Sequence, residues 1–311
     1  IISFLIIPLI ETFCCCVGIP NMLYFHYRKM AAGDFQQSQK EGIDLKTRVI
    51  SAAVLIIIVV ACFALGPVTR AVFLLAVSVM AIWETCRAIG CKDIKCVPWI
   101  LYIYAAASAA VIWFKADSII CQALFFLAVF SVMTAGVASK SVRAPGALAS
   151  LAVLVYPLVP FMIVYRLALT DNSVWIPVFA IACISTWVCD SFALFGGKRF
   201  GKHKLAPEVS PNKTVEGTVC GAVSSVAAGA IMYFVLKSSF DIPLVICMLT
   251  ALICSSFGQI GDLAASLIKR MAGMKDYSNL IPGHGGVMDR VDSLLFSIPS
   301  AYFCLMIAGI F

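Results

Sequence analysis

The sequence predicts an all-α polytopic integral membrane protein of about nine core transmembrane helices, with a further hydrophobic segment at its N-terminus. Three observations carry this expectation. Of 311 residues, 62% are hydrophobic and 13% charged, against about 45–50% and 25% in a soluble domain. Apolar runs recur along the chain at the length of about 20 residues that a helix needs to cross a bilayer with every backbone N–H and C=O satisfied internally. The basic residues alternate in density from one connection to the next. A mean hydropathy of +1.00 excludes an ordinary water-soluble globule. The 14 cysteines lie mostly inside apolar runs and form no C-x-x-C pair, so they read as packing residues, not as a disulfide framework, zinc site or redox motif.

Ten runs qualify, near 2–25, 49–66, 69–86, 96–114, 118–138, 146–168, 174–196, 216–236, 242–272 and 291–310. The first stands apart. Glu11 sits mid-run, Pro8, Gly18 and Pro20 interrupt it, and no basic residue precedes it as in a signal peptide. Met30 then opens a polar stretch that resembles a cytoplasmic start. We therefore expect residues 1–29 to be dispensable or outside the natural product, 30–48 to be a cytoplasmic polar segment, and 49–311 to form a single membrane-embedded domain.

The next spans are justified by what separates them. In chain order the nine connections hold 5, 1, 3, 1, 2, 1, 5, 1 and 4 Lys and Arg residues, so the odd-numbered connections carry 19 of the 23. One missed helix would scramble this alternation. The positive-inside rule places the odd connections in the cytoplasm and the C-terminus outside. The net charge of +7 then reflects orientation and anionic headgroups, and no nucleic-acid partner is expected. The ninth run, 242–272, would extend about 46 Å as a straight helix, against a hydrocarbon core of about 30 Å. It must tilt, break or emerge into the cytoplasm, and Gly258 and Gly261 offer a break just before Asp262.

The polar chemistry is concentrated. Asp190, Glu208, Glu216, Asp262, Asp276, Asp289 and Asp292 all fall in the last two-fifths of the chain, mostly near connections seven and nine, and ionisable groups beside spans are expensive enough to signal function. Connection seven runs from Asp190-Ser191 through Phe200-Gly201-Lys202 to Ser210-Pro211-Asn212-Lys213-Thr214-Val215-Glu216-Gly217. Its glycines allow close approach of backbone to ligand, and its cations and hydroxyls are phosphate donors. Thr214 can cap the following helix, whose N-terminus attracts anions.

In connection nine, Asp262, Ser266 and Lys269 recur at i, i+4 and i+7, which puts a carboxylate, a hydroxyl and an ammonium on one helical face beside Arg270. A Gly283-His284-Gly285-Gly286 turn then leads to Asp289-Arg290-Val291-Asp292. Three carboxylates gathered there would repel unless the cations or a divalent metal neutralise them. Oxygen donors with few His or Cys point to Mg²⁺ sharing substrate phosphates. His284 reads as a phosphate donor or turn residue. With no nucleophile elbow, G-x-G-x-x-G or P-loop present, the pattern suits metal-assisted phosphoryl or nucleotidyl transfer without a covalent intermediate.

The string Ser266-Leu267-Ile268-Lys269-Arg270, Lys275-Asp276 and Leu280-Ile281-Pro282-Gly283-His284-Gly285-Gly286-Val287-Met288-Asp289-Arg290-Val291-Asp292 closely resembles the signature of the CDP-diacylglycerol synthases, or phosphatidate cytidylyltransferases. The likeness extends upstream through Gly261-Asp262, the 210–217 run and Asp190-Ser191 to Lys46-Thr47-Arg48-Val49-Ile50, so it covers residues 46 to 311. It implies that CTP and phosphatidic acid give CDP-diacylglycerol and pyrophosphate, at the cytoplasmic face of a bacterial-type inner membrane. It also implies Mg²⁺, a monovalent cation such as K⁺, and a homodimer, although no span advertises a G-x-x-x-G interface strongly enough to specify one.

By the same likeness Asp262 and Asp289 match metal-binding aspartates, with Asp292 and Asp190 as further ligands or as organisers of Lys and Arg. Lys269 and Arg270 join Asp262 and Asp289 as catalytic candidates. Ser210, Lys213, Thr214, His284, Arg290 and Lys202 are the substrate-binding candidates. The chain departs from the pattern at Ala265, where many members carry Glu, and at Ser278, where Gly is common. Two rivals share some features: a CTP-dependent lipid kinase of the polyprenol or phytol type, which would release CDP, and a secondary transporter, which would place ionisable groups near the midplane of both halves. The first half of this chain holds almost none within its spans, Glu84 and Glu11 excepted.

Overall fold

The computed structural model describes residues 45–311; the expectation for 1–29, and all but the last four residues of that for 30–48, lie outside them. Apolar helices account for nearly all of it. In chain order they are α1 (Leu45–Ala64), α2 (Pro67–Gly90), α3 (Pro98–Trp113), α4 (Ser118–Ala138), α5 (Arg143–Val153), α6 (Val159–Ala168), α7 (Asn172–Phe200), α8 (Val215–Leu236), α9 (Leu244–Met271), α10 (Met288–Val291) and α11 (Leu294–Ile307). Seven segments are long and apolar enough to span a membrane, α5–α6 and α10–α11 each counting once, and Ala53–Ala64 and α3 are shorter apolar helices. The described residues thus supply the nine helical segments expected.

Local chemistry explains the ends. Pro67 and Pro98 open α2 and α3, where proline's missing N–H costs nothing. Asp117 caps α4 through a 3.2 Å bond from Ile119 N, and Thr214 caps α8 through a 3.1 Å bond from Gly217 N. Pro157 interrupts the span shared by α5 and α6 with a wide turn over Leu154–Leu158, as a residue that cannot donate to the helical ladder must.

α9 corrects one expectation, since it runs unbroken through Gly258 and Gly261. A Cβ on Gly258 would lie 2.5 Å from Ser297 Oγ, and one on Gly261 would lie 2.6 Å from Asp292 O. These glycines admit the N-terminal end of α11 and its lead-in against α9; they do not kink the helix. α8 uses the same device against α7. Cβ atoms on Gly217 and Gly221 would lie 2.6 Å from Ala193 O and 2.8 Å from Cys189 O, so this G-x-x-x-G spacing serves packing within the chain.

Two clusters form the interior. One joins Ala71 and Leu74 of α2 with α6, α7, α8, α9 and α11. The other joins Ala81, Ile82, Ala88 and Ile89 at the far end of α2 with α3, the Leu154–Leu158 turn, Ala265 of α9 and Met288. α2 therefore threads both. α1 and α4 present many exposed apolar side chains, such as Ile56, Ile57, Phe126 and Phe130, as suits lipid-facing positions.

The sequence reading had no strand. Lys204–Ala206 (β1) and Ser210–Thr214 (β2) form an antiparallel hairpin that pairs Lys204 with Thr214 and Ala206 with Ser210. Pro211 is tolerated because a two-stranded ribbon is all edge.

Candidate active site

The ends of α2, α7 and α9, the start of α8 and the segment 272–292 meet at one end of the bundle. The hairpin arranges the first part. Glu216 in the first turn of α8 accepts from Lys202 N at 3.0 Å and His203 N at 3.2 Å, and lies 2.6 Å from His203 Nδ1. β2 then brings Lys213 to α9, where Nζ stands 2.5 Å from Asp262 Oδ2. The two form a close ion pair, with the Lys213 side chain about a quarter exposed. Asp262 Oδ1 has only a long contact, 3.4 Å from Ser266 Oγ, and the Asp262 side chain is about a third exposed. Asp190, exposed on α7, lies within electrostatic reach of both Lys213 and Asp262.

The second part is more enclosed. Lys269 Nζ pairs with Asp289 Oδ1 at 2.7 Å, the two side chains being 10% and 3% exposed. Asp289 Oδ2 accepts from Tyr277 N at 2.8 Å and Gly286 N at 2.9 Å. Asp289 thus ties both strands of the loop to α9. Asp292, also buried, accepts from Ser293 N at 2.7 Å and lies within electrostatic reach of Asp262, Lys269 and Asp289. Tyr277 donates its hydroxyl to Ala265 O at 3.1 Å, and its ring lies 5.6 Å from Lys269 Nζ. Burial, and then the charges of Asp292, Asp289 and Glu84, hold its phenol well above the ordinary range, so it remains a proton donor.

Not every expected phosphate ligand faces this cluster. Arg270 donates from Nε to Val209 O at 3.2 Å and from Nη1 to Met274 O at 3.1 Å, which pins the hairpin to the end of α9. His284 Nδ1 lies 2.8 Å from Ser51 Oγ, and Ser51 donates to Pro282 O at 2.9 Å, so α1 holds the glycine turn. Thr214, a buried residue, accepts the capping bond from Gly217 N through Oγ1. Ser210 is half-buried in β2, and the Lys202 and Arg290 side chains are exposed.

One buried acid contributes more than sequence reasoning foresaw. Glu84 on α2, 0% exposed, accepts from Ser278 Oγ at 2.6 Å, Val287 N at 2.9 Å and Met288 N at 2.7 Å. A Cβ on Gly286 would meet its Oε1 at 2.5 Å. Glycine elsewhere in the turn answers to backbone conformation, with φ of 76° at Gly283 and 82° at Gly285. The signal for Glu84 was available: a lone carboxylate in a span needs fixed donors.

Among the described residues, no three His, Cys, Asp or Glu side chains stand together as a complete metal site. Asp262 and Asp292 offer oxygen donors beside two ammonium groups, with Asp190 near. This set fits an ion that takes one or two carboxylates and completes its shell with substrate phosphates and water.

Residues 46–308 match the model of a family described as the cytidylyltransferase family. Among curated proteins, the chain is 48% identical over 124 residues to the phosphatidate cytidylyltransferase of Bacillus subtilis (strain 168), a match covering 40% of this chain and 45% of that protein. It is 42% identical over 118 residues to the protein of that name from Staphylococcus haemolyticus (strain JCSC1435), covering 38% and 45%. The matches therefore span a little under half the length of these relatives.

Proposed function

This chain belongs to the cytidylyltransferase family, and from that premise we propose that it is a phosphatidate cytidylyltransferase. A phosphate oxygen of phosphatidic acid attacks the α-phosphorus of CTP, the bond to the bridging oxygen of the β-phosphate breaks, and CDP-diacylglycerol and pyrophosphate result. One observation supports this most: two Lys–Asp pairs, Lys213–Asp262 and Lys269–Asp289, stand with Asp292 at the cytoplasmic end of α9 as the basic-residue count orients it. The names of the relatives supply the substrates.

In this reading Asp262 and Asp289, with Asp292 and Asp190, would hold Mg²⁺ and a monovalent cation such as K⁺. The bound cation would stabilise charge on the transferring phosphoryl group and on leaving pyrophosphate. Lys213 and the exposed Lys202 and Arg290 bind phosphate oxygens. Lys269 and Tyr277 hold Asp289, while Arg270 and His284 fix the two loops that frame the site. No general base is required, because the lipid phosphate is ionised at neutral pH. Residues 49–311 act as one catalytic domain in the inner membrane with this end in the cytoplasm, working as a homodimer.

The test incubates the purified full chain with phosphatidic acid, Mg²⁺ and CTP labelled at the α-phosphate. Labelled lipid and stoichiometric pyrophosphate are expected; release of CDP would instead select the lipid-kinase reading. Sizing in detergent tests the dimer.

A further inference from the structure

At the end of the bundle away from these loops, α3, α4 and α6 part around a cleft of about 380 Å³. Tyr104, Phe125 and Met162 form much of its wall, and Ser108, Gln122 and Arg166 supply its polar groups. Its volume falls in the range of about 300–1,000 Å³ typical of ligand pockets, which combine apolar walls with a few convergent polar groups. On α6, Val159, Met162 and Arg166 share one face, so the cleft runs roughly 10 Å along that helix.

Two of the polar groups, Arg166 and Gln122, are exposed. Among the described residues, neither Arg166 nor Gln122 has an ion pair or side-chain hydrogen bond. Ser108 Oγ is buried and makes no hydrogen bond of good geometry, with the Tyr104 phenol as a polar neighbour. Arg166 lies two residues before the end of α6 at Ala168, about 3 Å from the helix end. From near a helix end an arginine can reach out of the hydrocarbon toward lipid phosphates.

We propose that this cleft binds one anionic glycerophospholipid, with an acyl chain along α6 and its phosphate on Arg166 and Gln122. An acyl chain gains little by leaving one hydrocarbon environment for another. It does gain close dispersion contacts with the cleft walls. Selection must then come from the headgroup, where the Arg166 guanidinium favours net negative charge. The site is independent of the catalytic reading, since all its residues lie on α3, α4 and α6.

The test uses the purified full chain in neutral detergent, titrated separately with phosphatidylglycerol and phosphatidylcholine of equal chain length. Bound lipid is counted by native mass spectrometry. One phosphatidylglycerol should be retained where phosphatidylcholine is lost. Arg166→Gln should lower that occupancy at least tenfold and leave nucleotidyl transfer unchanged, whereas Lys237→Gln, on another connection, should not alter it. Met162→Trp, which fills the cleft from its wall, should displace the lipid with Arg166 intact. Equal retention of both lipids, or occupancy indifferent to Arg166→Gln, would make the cleft an unselective part of the bilayer boundary and overturn the proposal. A loss of dimer in Arg166→Gln with no lipid retained by the parent would assign the cleft to a second copy, with the same consequence.

Discussion

Glu84 is the side chain whose removal should most sharply separate folding of the catalytic loop from folding of the bundle. Its two oxygens accept one hydroxyl and two backbone N–H groups, all within 2.9 Å and all from residues 278–288. Glu84→Ala leaves three donors without an acceptor in a fully buried place. At about 1–3 kcal/mol for each unsatisfied group, and allowing for water entering the emptied volume, the loss is about 3–6 kcal/mol. That is a large part of the roughly 5–15 kcal/mol by which folded proteins are stable. Glu84→Gln keeps the volume, but its NH₂ must face a donor that one carboxylate oxygen now accepts, so about 1–3 kcal/mol is expected. Gly286→Ala approaches the same contact from the loop side, since its new methyl would lie 2.5 Å from Oε1, at about 1–3 kcal/mol. The assay is denaturant unfolding of the purified protein in detergent alongside CDP-diacylglycerol formation. Stability should fall in the order parent, Gln, Ala, and Glu84→Gln should lower kcat more than it raises KM because Asp289 is displaced with the loop. A Glu84→Ala protein as stable and active as the parent would refute the reasoning.

Three further outcomes follow from the same geometry. Lys269→Met strands the nearly buried Asp289 carboxylate and should cost about 3–5 kcal/mol in unfolding free energy, with activity lost even where the protein still folds. Gly221→Leu forces a side chain against Cys189, whose O and Sγ would each lie 2.8 Å from the new Cβ; α7 and α8 must separate, and a melting temperature equal to the parent's would contradict this. Chelation should abolish CDP-diacylglycerol formation reversibly, and Asp262→Asn should raise the Mg²⁺ concentration needed for half-maximal rate by about tenfold or more, read from a metal titration at fixed CTP.

What the sequence made legible follows from which interactions are local. Span number came from runs of apolar residues and from basic residues counted connection by connection, both one-dimensional properties, and the nine helical segments agree with it. The i, i+4, i+7 face of Asp262, Ser266 and Lys269 was equally local, and α9 carries it as expected. The errors arise where the partner is remote. Gly258 and Gly261 read as a break because a glycine pair weakens an isolated helix, yet each faces another helix's atoms, which the pattern does not record. The hairpin escaped notice because Ser210–Thr214 has neither alternating hydrophobicity nor β-branched enrichment. It exists because Glu216, Arg270 and the Lys213–Asp262 pair fasten it to helices from elsewhere in the chain.

The same distinction between local and remote partners bears on charge. Connections seven and nine hold nine of the basic residues, and a sequence count treats all nine as available to an anionic substrate. The structure divides them. Lys269 is neutralised by Asp289, and Arg270 is directed at backbone carbonyls. Lys213 is paired with Asp262, whose side chain is about a third exposed, so it can exchange carboxylate for phosphate without leaving a carboxylate buried. Lys202 and Arg290 are exposed at the rim, where a single charge is worth little in water but several together raise the local concentration of a polyphosphate. Capture and chemistry would therefore fall to different cations: salt should weaken binding through Lys202 and Arg290 and raise KM for CTP, while Lys269 and Asp289, shielded from solvent, keep kcat nearly constant. A kcat that falls as steeply with ionic strength as kcat/KM would mean that this division of labour does not hold.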